Sequence, residues 1–118
     1  MNLFPIIALW TLTLAWNAPT LNEGGTPIND LAGFKVYEDS VSNMTSAVLI
    51  NTVTNGVNQN PSYGDTYQVD VTPSSNDVWF AVTSFDLSGN ESSNSPSLYF
   101  TDETPTAPTA QITIIVNQ

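Results

Sequence analysis

Alternation with a period of two is the feature that most narrows what this chain can fold into. In Tyr67-Gln68-Val69-Asp70-Val71 apolar and polar side chains exchange at every step, and Leu12, Leu14 and Trp16 repeat the pattern within Thr11-Leu12-Thr13-Leu14-Ala15-Trp16. Successive side chains of an extended chain point to opposite sides, so each run has one apolar face and one wet face. Further runs at Phe34–Tyr37, Ala47–Val53, Val78–Phe85 and Leu98–Thr101 follow at short intervals, split by segments rich in Pro, Gly, Asn and Ser. No helical period survives over ten residues. Many short strands between turn-rich connections specify an all-β sandwich or barrel. At 118 residues the chain fits one domain with short extensions at both ends. Cysteine is absent, so no disulfide braces the fold and the hydrophobic core alone must hold it.

Charge excludes several partners. Eleven carboxylates face a single base, Lys35, for a formal net charge of −10. Nucleic-acid binding needs cations to neutralise phosphates, and an anionic membrane surface needs the same, so neither is expected as a partner. The acids fall mostly in expected loops, as a solvated, self-repelling surface.

Composition also argues against catalysis. Histidine is missing, which removes the usual general base near neutral pH, and without His or Cys no Ser-His-Asp or Cys-His arrangement can form. Lys35 sits mid-strand on an outward, solvated face, a poor partner for a nucleophilic serine. Glu38-Asp39 and Asp102-Glu103 are adjacent pairs, and neighbours on an extended chain point apart, against paired-carboxylate chemistry. Asp86-Leu87-Ser88-Gly89-Asn90-Glu91 offers oxygen ligands around a glycine, as a calcium loop would. The same residues make an ordinary tight turn with Gly89 at positive φ, which is the preferred reading. No enzyme activity, cofactor or metal is expected.

Two longer stretches carry a resemblance. LTLAWNAPTLNEGGTPINDLAGFKVYED looks like the second and third strands of bacterial and phage fibronectin type III domains: a core Trp, a Pro-containing loop, then a Gly-aromatic-x-Val-Tyr strand. YQVDVTPSSNDVWFAVTSFDLSGNESSNS resembles their fifth to seventh strands, ending in the aromatic-x-V-x-x-x-D-x-x-G-N-E-S pattern. The resemblance covers about residues 10–101 and implies a seven-stranded antiparallel immunoglobulin-like sandwich. One departure is the tyrosine that starts the sixth strand in that family, replaced here by Val78. Without its hydrogen bond the link between the fifth and sixth strands is expected to be looser. The third and sixth strands are neighbours in this arrangement, so Tyr37, Trp79 and Phe85 should share one outer face, a candidate contact surface for a partner protein or, by stacking, for sugars. Ordinary cross-strand pairing accounts for the same three residues.

Both ends extend past the sandwich. Residues 1–9 are almost wholly apolar, with Leu3, Phe4, Ile6 and Ile7 as candidate contact residues; they lack the basic start of a signal peptide and are expected to be retained. Residues 102–118 combine a Pro/Thr-rich linker with a strand-like run in which Ile112, Ile114 and Val116 alternate. That run either returns to its own sheet or adds to a neighbour's, and the second is favoured. Together these features suggest a non-enzymatic phage virion structural protein on the particle surface. A capsid decoration or cementing subunit held among other virion proteins by its termini fits best, with weak adhesion to cell-surface glycans as a further role. The alternative is a secreted or cell-surface carbohydrate-binding module.

Overall fold

In a computed structural model of the protein, residues 11–109 and 113–116 are described. They contain no helix and six strands: β1 (Leu12–Asn17), β2 (Leu31–Asp39), β3 (Val48–Val53), β4 (Thr66–Val71), β5 (Asp77–Asp86) and β6 (Leu98–Thr101). All pairings are antiparallel. β1 pairs with β4 in a two-stranded sheet, and the order β3-β2-β5-β6 makes a four-stranded one. The expected count of seven is therefore not reached among the described residues, and the apolar segment 1–9 lies outside them. None of the helices that would be long and apolar enough to cross a membrane occurs among the described residues.

The alternation builds the core. On the four-stranded sheet Val36, Val78 and Phe80 turn inward, and they meet Leu14 and Val71 from the two-stranded sheet in one buried cluster. A second cluster joins Ala18, Leu31 and Phe34, flanked by Trp16, Tyr67 and Val82. Phe34 is the pivot there: its ring sits edge-on to Trp16 at 5.3 Å and tilted on Tyr67 at 4.9 Å. Burying one such side chain is worth about 1.5–3 kcal/mol. The two sheets thus share a single interior, as in a sandwich.

β2 runs well beyond what alternation alone indicates. β2 begins at Leu31 and not at Phe34, because Gly33 lies flat against β5 opposite Phe85. A Cβ on Gly33 would strike the Val53 carbonyl and come within 2.7 Å of the Phe85 ring, so only glycine fits. At its other end β2 carries Glu38 and Asp39, which are buried and not solvated. They do point apart. Glu38 accepts from the Ser74 backbone N–H at 3.1 Å and from the Ser74 hydroxyl, pinning the β4–β5 connection. Asp39 accepts from Ser46 N–H at 2.7 Å and Val41 N–H at 3.3 Å, organising the β2–β3 connection. The β4–β5 link is accordingly tied down by a carboxylate where a tyrosine was missing. Tyr67 meanwhile accepts from the Asn58 N–H at 2.9 Å, holding the long loop before β4.

Candidate functional site

The outer face of the four-stranded sheet was the first candidate. Cross-strand pairing sets Gly33, Lys35, Tyr37 and Asp39 of β2 opposite Phe85, Thr83, Ala81 and Trp79 of β5. Tyr37, Trp79 and Phe85 are therefore on one face, but they do not form one platform. Among the described residues no ring contact joins them. Trp79 pairs instead with Tyr99 of β6, ring centres 4.9 Å apart, and Tyr99 is half exposed. Phe85 lies under the Lys35 ammonium, 5.2 Å from its ring centre.

Tyr37 is held by a residue that alternation could not place. The turn after β5 swings Glu91 back onto the sheet, where Phe85 and Glu91 form an isolated bridge. Its carboxylate then collects three partners: the Tyr37 hydroxyl donates at 2.5 Å, the Thr83 hydroxyl at 2.8 Å and Lys35 Nζ at 3.3 Å. The Tyr37 hydroxyl, followed by Thr83 and Lys35, holds the Glu91 carboxyl below its ordinary range against an opposing effect of burial. The same bond, with burial and the Glu91 charge, pushes the Tyr37 phenol up. Lys35 is thus partly covered and paired, not solvated. Sequence reasoning assigned Glu91 only to a turn; the signal it lacked was the reach of that turn back to β2.

The Asp86–Glu91 segment is the tight turn it resembles. Gly89 has φ 89°, and its N–H donates to the Asp86 carbonyl at 3.0 Å. The Asp86 carboxylate accepts from the Asn90 side-chain amide and from the N–H groups of Asn90 and Ser88 at 2.9–3.0 Å, which together lower its pKa against an opposing effect of burial. Its oxygens are spent on closing the turn. No group of three or more His, Cys, Asp or Glu suited to a metal occurs among the described residues.

The same turn forms one wall of a cleft of about 790 Å³, between the β1–β2 connection and the β5–β6 connection. Trp16, Leu31, Phe34 and Val82 line its floor, and Asn, Asp, Glu and Ser side chains line its rim. Sequence reasoning missed this cleft, because both connections read only as turn-rich loops.

The C-terminal candidates behave differently from the body. Residues 102–109 and Thr113–Val116 lie in no strand, and Ile114, Ile115 and Val116 are 82%, 78% and 78% exposed. The candidates Leu3, Phe4, Ile6, Ile7 and Ile112 lie outside the described residues. No family model, curated protein or solved structure matches this chain.

Proposed function

We propose that this protein is a non-enzymatic assembly module: a fibronectin type III-like sandwich that serves as a phage virion structural protein, most fittingly a capsid decoration subunit. The strand order supports the family: β2 and β5, the third and sixth strands of that arrangement, are neighbours, and β1 pairs with β4, its second and fifth.

One observation carries the role in assembly. The body finishes at Thr101, yet a run containing Ile114, Ile115 and Val116 follows a Pro/Thr-rich linker and stands in water. Exposed aliphatic runs of this kind mark contact surfaces, and an extended segment can add to a neighbour's sheet edge. The acidic body keeps such modules apart from one another and from nucleic acid, so a partner is engaged first through the uncharged tail and not through the carboxylate-rich loops. The Trp79–Tyr99 pair on the outer face is a second contact for a protein neighbour.

The test is a chain ending at Thr109. Full-length protein should copurify with assembled particles through a density gradient, and the shortened chain should be lost from them. Equal occupancy of both forms contradicts the proposed anchor.

A further inference from the structure

The cleft between the β1–β2 and β5–β6 connections is independent of the tail, and its chemistry is specific. Two cross-loop contacts form its frame before any ligand arrives. Leu87 N–H donates to the Asp30 carbonyl at 3.0 Å, and the Glu23 carboxylate accepts from Ser93 N–H at 3.3 Å and the Ser93 hydroxyl at 3.4 Å. Its volume, about 790 Å³, falls in the range of preformed small-molecule sites.

Four carboxylates line the cleft, but three are already satisfied from within. Asp86 closes its turn, Glu91 is bound by Tyr37, Thr83 and Lys35, and Glu23 holds Ser93. A ligand is thus left one carboxylate, Asp30, and the carboxamides of Asn17, Asn29 and Asn94, whose side chains make no hydrogen bond among the described residues. Carboxamides offer donors and acceptors together, as a hydroxyl does. Beneath them lies the apolar floor; the Trp16 indole Nε1 is buried within it, with no hydrogen-bond partner among the described residues. No Lys or Arg lines the cleft, so phosphates, sulfates and carboxylates find no counter-charge.

From this set we infer that the cleft is a binding site for a neutral oligosaccharide. The carboxamides and Asp30 take the ring hydroxyls, and the partly exposed Trp16 and Val82, packed on the buried Leu31 and Phe34, receive the less polar faces of the sugar. The site stands whether or not the tail anchors the protein in a particle, and it places sugar recognition at the loop end, away from the Trp79–Tyr99 face.

The experiment is a titration of the isotopically labelled full chain with cellohexaose, maltohexaose, mannohexaose and chitohexaose, read by amide chemical shifts. At least one sugar should give saturable shifts confined to residues 16–31 and 82–95. Asn94→Ala, an exposed side chain that holds nothing in the fold, should weaken that binding about tenfold or more. Trp79→Ala should leave it unchanged. The inference is overturned if none of the four shifts any resonance up to about 10 mM. It is equally overturned if the shifts map to Trp79 and Tyr99, or if Asn94→Ala binds as tightly as the parent. Capture of an oligolysine peptide by the cleft, with no response to the sugars, would assign the site to cations and also overturn it.

Discussion

The two faces of the four-stranded sheet are built from the same strands by opposite means. Inward-facing Phe34, Val36, Val78 and Phe80 are almost completely buried and held by packing, with no bond that needs a particular partner atom. The outward-facing Lys35, Tyr37 and Thr83 are organised by one carboxylate, Glu91, delivered by a loop more than fifty residues away from β2 in sequence. The inner face is a matter of volume and the outer face of geometry. They should therefore fail under different perturbations.

The largest effect belongs to the inner face. Phe80→Ala, and likewise Phe34→Ala, should cost about 3–5 kcal/mol in urea unfolding, because the cavity left between the two sheets cannot collapse fully. A loss under about 1 kcal/mol would mean that the sheets do not share this core. Gly33→Ala comes next. It forces a methyl group against the Val53 backbone and the Phe85 ring at the junction of the two faces, so a loss of about 1–3 kcal/mol is expected by the same assay. A neutral outcome would show that β2 and β5 are not as close there as the register requires.

On the outer face the numbers are smaller. Glu91→Ala strands three donors, but the Lys35–Glu91 pair is about one-third exposed, so water replaces much of what is lost. A decrease of about 1 kcal/mol is expected. Tyr37→Phe, which removes one donor alone, should cost less than Glu91→Ala and sharpen the contrast.

The smallest effect is a pH dependence specific to this face. Glu91 is lowered in the folded state, so its contribution is present above its unfolded pKa and is lost as pH falls through the folded value. Tyr37 is raised, so its contribution is present below its unfolded pKa near 10 and is lost as pH rises through the folded value. The stability of the parent chain against unfolding should fall at both extremes relative to Glu91→Gln, with a flat difference between about pH 5 and 9. Parallel curves for the two proteins would remove Glu91 from the outer-face network.

How much of this was legible follows from the same contrast. The alternation placed all six strands to within a few residues and chose the inward side chains, since burial acts on each residue separately. Glu38 and Asp39 escaped it because a carboxylate is read as solvent-facing unless its donors are known. Those donors, Ser74 and Ser46, lie in connections with no period. The cleft escaped for the same reason, being a property of two loops and of Trp16 beneath them. Tyr37, Trp79 and Phe85 were correctly put on one face. Which neighbour each would touch depended on Glu91, Tyr99 and Lys35, at positions set by tertiary pairing. Of the terminal candidates, Ile114 and Val116 stand exposed and outside any strand, so no edge strand of their own domain forms at Thr113–Val116.

Amide hydrogen exchange of the isolated full chain probes this last point most directly. Exchange of Thr113–Val116 at the rate of an unstructured peptide, beside strong protection in β2 and β5, is the predicted result. Protection of those four amides comparable to that of β5, in a chain shown to be monomeric, would mean that the body already uses its own tail, and the proposed role in assembly would lose its basis.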